Sequence, residues 1–95
     1  MIAVDVEALG DGWKCLVTLG DGDDRTTHTV TVRRADALRW GRGTETKDVQ
    51  ELVRRSFEFL LERERASSIL KSFELATIQR YFPEYDRVFR TGEHG

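Results

Sequence analysis

The sequence predicts an α+β fold: a three-stranded antiparallel meander covered on one face by one long and two or three short helices. Three observations predict it. Apolar residues alternate with period two through three short segments before residue 34. Asp-Gly pairs separate those segments, the chemistry of tight hairpin turns. Beyond residue 34 the apolar spacing becomes that of a helix, most clearly over residues 47–65.

In "IAVDVEAL", Ile2, Val4, Val6 and Ala8 share one face, with Asp5 and Glu7 on the other. In "WKCLVTL", Trp13, Cys15, Val17 and Leu19 point one way, and Lys14 and Thr18 the other. In "TTHTVTV", His28, Val30 and Val32 oppose Thr27, Thr29 and Thr31. Such segments form strands with one dry and one wet face. A two-residue loop at Asp11-Gly12 would set Val6 opposite Val17 and Val4 opposite Leu19. Asp21-Gly22 supplies the second turn, with a four-residue loop through Asp24 as the alternative.

"RRADALRWG" has length for one or two helical turns, stopped by Gly41 as a left-handed C-cap. "KDVQELVRRSFEFLLERER" carries the strongest helical pattern. Asp48 with Glu51 fits a capping box, and Thr46 is an equally good N-cap. Val49, Leu52, Val53, Phe57, Leu60 and Leu61 recur at helical spacing, and Phe59 widens the apolar arc to roughly 200°. A helix with so broad an arc must touch more than one neighbour. "SILKSFELATIQRYF" predicts a further helix, with Ser67 or Ser68 as its cap and Leu75, Ile78 and Phe82 on one face. It ends before Pro83, because the residue preceding a proline avoids helical geometry. In "PEYDRVFR", Pro83 suits a first helical turn, and Tyr85, Val88 and Phe89 share a side. Residues 1–90 thus make a single domain, and "TGEHG" (91–95) reads as a disordered tail.

The strings "THTVTV", "ELVRRSFEFLLERE", "SIL" and "RYFPEY", spread over roughly residues 26–86, resemble a family of short uncharacterised bacterial proteins. That family often carries a proline after the acidic end of the long helix, where Arg65-Ala66 stands here. The resemblance supports the fold and implies no activity, so no residue inherits a role from it.

Bulk properties narrow the function classes. A 95-residue chain makes one domain with a thin core. Its net charge of −2 disfavours a general binder of nucleic acid or anionic membrane. The charge is uneven: residues 1–24 set Lys14 against Asp5, Glu7, Asp11, Asp21, Asp23 and Asp24, whereas residues 33–42 set Arg33, Arg34, Arg39 and Arg42 against Asp36. A single cysteine fits a reducing compartment, and "MIAVDVEALG" lacks a basic region followed by an apolar run. A cytoplasmic protein is expected.

Candidate chemistries each meet a plainer explanation. Cys15 and His28 could pair as nucleophile and base, but an inward face with Trp13, Val17 and Val30 raises a thiol pKa rather than lowering it. "GDGDD" lacks the closing Glu and alternating ligands of a calcium loop, and turn chemistry explains it. One cysteine and two scattered histidines make no zinc set. The paired glycines flank a hairpin rather than opening a helix, so they imply no phosphate loop, and no G-x-S-x-G elbow is present. The expectation is a non-enzymatic protein without a cofactor.

Three candidate binding surfaces stand out. "QRYFPEYDRVF" places Tyr81, Phe82, Tyr85 and Phe89 close together, either closing the core or facing a partner. Strand "HTVTV" followed by helices has the order of a ribbon-helix-helix DNA binder. There Thr27, Thr29 and Thr31 would enter the major groove, with Arg33 and Arg34 near phosphates. "RWGRG" offers one aromatic and two basic groups to single-stranded nucleic acid, but the plainer reading folds Trp40 back over the sheet edge and leaves the arginines solvated. The leading expectation is a non-catalytic protein-interaction or regulatory module, binding an unknown protein or itself. A DNA-binding regulator is the alternative.

Overall fold

The alternating segments fold as β1 (Ile2–Leu9), β2 (Gly12–Leu19) and β3 (Thr26–Arg33) in a computed structural model that describes residues 1–20 and 22–90. Asp21 of the second turn and the tail expected over residues 91–95 lie outside the described residues. The three strands pair antiparallel in chain order, as the sequence predicts.

The first turn sits one residue earlier than expected. Leu9 pairs with Gly12, so the loop is Gly10-Asp11, and Val4 lies opposite Val17 with Val6 opposite Cys15. Gly12 is spent on packing rather than on the turn, since a Cβ there would run into the Val32 carbonyl oxygen of β3. The register moves by two residues, which preserves the side-chain parity. Every inward residue therefore stays inward. In the second connection Leu19 pairs with Thr26, and left-handed Gly20 (φ 78°) and Gly22 (φ 61°) turn the chain between them.

The sheet has a fourth strand, so it is mixed rather than a three-stranded antiparallel meander. β4 (Ser72–Glu74) runs parallel to β3, giving the order β1-β2-β3-β4. The helix expected from residue 68 onward shrinks to α3 (Thr77–Tyr81). The cause is the outer edge of β3, whose backbone groups need partners. The Thr29 N–H donates to the Lys71 carbonyl (2.8 Å), and the Leu75 N–H donates to that of Thr31 (2.9 Å). Ser72 and Glu74 are exposed and Phe73 is half-buried, a short period-two pattern within the helical one.

α1 (Arg34–Trp40) ends at Gly41, which is extended (φ −100°, ψ −172°) and not the left-handed cap expected. Gly41 is required by crowding instead: a Cβ would stand 2.9 Å from the Ala37 oxygen and 3.1 Å from the Leu52 side chain. α2 (Thr46–Leu61) is capped ahead of both caps read from the sequence, one residue before Thr46 and three before Asp48. Glu45 is its N-cap, and its N–H donates to the Asp48 carboxylate (3.2 Å). The broad apolar arc of α2 serves two neighbours. Phe57 faces the sheet, 5.5 Å from the His28 ring and 6.0 Å from that of Phe73. Phe59 faces α4 (Glu84–Phe89), with edge-to-face contacts to Tyr85 (5.3 Å) and Phe89 (5.7 Å). At its N-terminal end, Gln50 reaches down to β1, where its amide donates to the Val4 carbonyl (2.7 Å).

The molecule has two layers, with Val4, Cys15, Val17, Leu19, Val30 and Val32 of the sheet buried beneath the helices. The other sheet face carries Asp5, Glu7, Lys14, Leu16, Thr27 and Arg33 into solvent. No helix among the described residues is long and apolar enough to cross a membrane.

Candidate functional site

The C-terminal aromatic stretch divides at Pro83. Tyr85 and Phe89, expected as partner-facing residues or as core, are core: they are 0% and 4% exposed. Their rings stack at 4.3 Å, and Trp40 meets Tyr85 edge-on at 5.0 Å. Each polar tip in this cluster is satisfied. The Ser56 hydroxyl donates to the Leu52 carbonyl (2.7 Å), so the Tyr85 hydroxyl donates to the Ser56 oxygen (2.7 Å). Burial pushes the Tyr85 phenol up, well clear of ionisation. The Trp40 indole N–H donates to the Asp86 carboxylate (2.8 Å), which also binds Arg90 (2.6 Å). The Trp40 hydrogen bond, followed by that of Arg90, holds the Asp86 carboxyl below the usual carboxylate range. Trp40 is fully buried in this cluster, so it is not a stacking platform for single-stranded nucleic acid.

Tyr81 and Phe82 take the opposite course. Tyr81 is 66% exposed, and Phe82 is half-buried with an edge contact to Phe59 (6.1 Å). Both line a cavity of about 140 Å3 between the end of α2, the segment leading into β4, and α3. Its walls are apolar, with Leu60, Ile69, Phe73 and Ile78 joining the two aromatics; Glu64, Ser68 and Thr77 add polar groups. Leu70, also lining it, is 49% exposed. β4 creates this site by carrying Phe73 to the sheet edge and letting α3 fold back over it. The missed strand is the reason the cavity could not be read from the sequence. Its signal was the alternation Ser72-Phe73-Glu74-Leu75.

Cys15 and His28 are diagonal neighbours rather than a direct pair, since Cys15 pairs with Val30 and His28 with Val17. The Cys15 thiol is fully buried, and burial pushes its pKa up to about 12. A thiol so held is not a nucleophile near neutral pH. His28 is a structural bolt. Its Nδ1–H donates to the Leu70 carbonyl (2.8 Å), pinning the chain before β4, and its Nε2 lies 3.0 Å from the Thr26 hydroxyl. The acceptor-only carbonyl fixes the proton on Nδ1.

Thr27, Thr29 and Thr31 do occupy the uncovered sheet face, and Arg33 and Arg34 are exposed at the end of β3. The intersubunit ribbon needs β3 to have a free edge, however, and β2 and β4 occupy both. Arg33 forms an exposed ion pair with Glu74 (3.4 Å). Among the described residues no group of three or more His, Cys, Asp or Glu is placed to hold a metal ion. Comparison with protein-family models, with curated proteins and with solved structures returned no match.

Proposed function

We propose that this chain is a non-catalytic protein-interaction module whose contact surface is the cavity beside α3. The observation supporting this reading is the division of the aromatic stretch. Its inner half is buried and hydrogen-bonded, whereas Tyr81 and Leu70 stand out beside an apolar cavity of about 140 Å3. Exposed apolar groups around a concave apolar site are the usual mark of a contact surface. The nucleophile-like pair is a buried thiol and an engaged imidazole, which favours binding over catalysis.

A photo-crosslinking side chain installed at Tyr81, compared with one at Lys14 on the uncovered sheet face, tests the reading in cells. The expected outcome is one discrete adduct from position 81, lost in Leu70→Asp, and none from position 14. Equal adducts from both positions, or none from either, would contradict it. An adduct of twice the chain's mass from position 81 would identify self-association as the interaction.

A further inference from the structure

Among the described residues β4 is the last strand of the sheet, and its central residue, Phe73, lines the cavity. In a parallel pair, alternate residues direct both backbone groups at the neighbour. The bonds from Thr29 to Lys71 and from Leu75 to Thr31 show that Lys71, Phe73 and Leu75 face β3. Ser72 and Glu74 therefore turn their N–H and C=O groups outward, and both residues are exposed. The Phe73 ring points to the helical side, where it forms part of the cavity wall. The outward backbone groups and a wall of the apolar cavity thus belong to the same three-residue strand.

We infer that β4 accepts an extended segment of another protein by strand addition, with one bulky apolar side chain of that segment seated in the cavity. This inference rests on the proposed interaction function and names the class of partner. Strand addition draws affinity from main-chain hydrogen bonds and specificity from pockets that receive alternate side chains. An apolar cavity of ~150 Å3 holds benzene, so this one matches a Phe ring or a Leu side chain. Glu64 is the charged residue in the cavity lining, and it forms no ion pair among the described residues. A basic residue beside the anchor complements it. A second copy of this chain is a poor occupant. β1, its long edge strand, carries Asp5 and Glu7 without a cation, and β4 offers Phe73, already packed on Phe57 at 6.0 Å.

The test is selection of a displayed short-peptide library on the intact protein, with counter-selection on Ser72→Pro. That substitution removes an outward N–H that β3 does not use, a position where edge strands tolerate proline. Selected peptides should share one bulky apolar residue next to Lys or Arg. On binding they should shift and protect the Ser72 and Glu74 amides in NMR spectra. Ser72→Pro should weaken them about tenfold while keeping the wild-type melting temperature. Should that variant unfold, Glu64→Lys provides the second test: affinity falls about fivefold, and reselection moves the flanking preference from basic to acidic. Peptides that perturb Tyr81 and Phe82 but leave the Ser72 and Glu74 amides unchanged would overturn strand addition and leave the interaction function standing. Enrichment that is absent, or equal on wild type and both variants, would overturn both.

Discussion

Tyr85 and Tyr81 lie four residues apart, and they live in different environments. Tyr85 has no exposed surface, stacks on Phe89, meets Trp40 edge-on and donates a hydrogen bond from its hydroxyl to the Ser56 oxygen. Tyr81 keeps 66% of its surface and stands at the mouth of the cavity. Pro83 separates α3 from α4, and the helix axis restarts at Glu84. A continuous helix would have placed the two tyrosines one above the other on one face. The break sends one into the core and the other outside. Aromatic density in a sequence is therefore a poor guide to whether rings are core or contact surface; the backbone between them decides.

Substitutions on either side of Pro83 should separate the two roles. Tyr85→Ala should cost about 3–5 kcal/mol in urea melts, because the ring leaves a cavity among Trp40, Phe59 and Phe89. Ser56→Ala should cost about 1–3 kcal/mol, since it strands the buried Tyr85 hydroxyl without an acceptor. Tyr85→Phe should cost less, about 1 kcal/mol, because Ser56 still donates to Leu52. Reversal of that order would show that the Tyr85 proton goes elsewhere. The Asp86 pair is expected to appear in the pH profile. Its carboxyl is held low in the folded state, so its contribution is complete above the unfolded pKa of ~3.9 and disappears as pH falls through the folded value. Asp86→Asn should flatten the acid limb of the stability curve while keeping an acceptor for Trp40. Tyr81→Ala should change stability by no more than about 0.5 kcal/mol, and a larger loss would make it part of the core.

Side-chain direction was legible in the sequence to a useful depth. Parity along β1, β2 and β3 follows from alternation, and it survived a two-residue register shift because strands repeat every two residues. The broad arc of α2 correctly implied two neighbours, now seen as Phe57 toward the sheet and Phe59 toward α4. What escaped was set by tertiary contacts. Gly12 and Gly41 read as turn and cap glycines, yet Gly12 yields space to the Val32 carbonyl of β3, and Gly41 to the Ala37 oxygen and the Leu52 side chain. Three strand residues at 72–74 lie inside a run that also satisfies helical spacing, and the need of β3 for a partner decided between them. The cavity depended on that choice, so its lining was hidden although Tyr81 and Phe82 stand out in the sequence.

The chain holds two tyrosines, Tyr81 and Tyr85, so labelled tyrosine gives two ring signals, one from each side of the divide. Adding a soluble paramagnetic agent to the native protein tests the division directly. One tyrosine signal, assigned by Tyr81→Phe, should broaden away while the other persists. Loss of both, or survival of both, would contradict it.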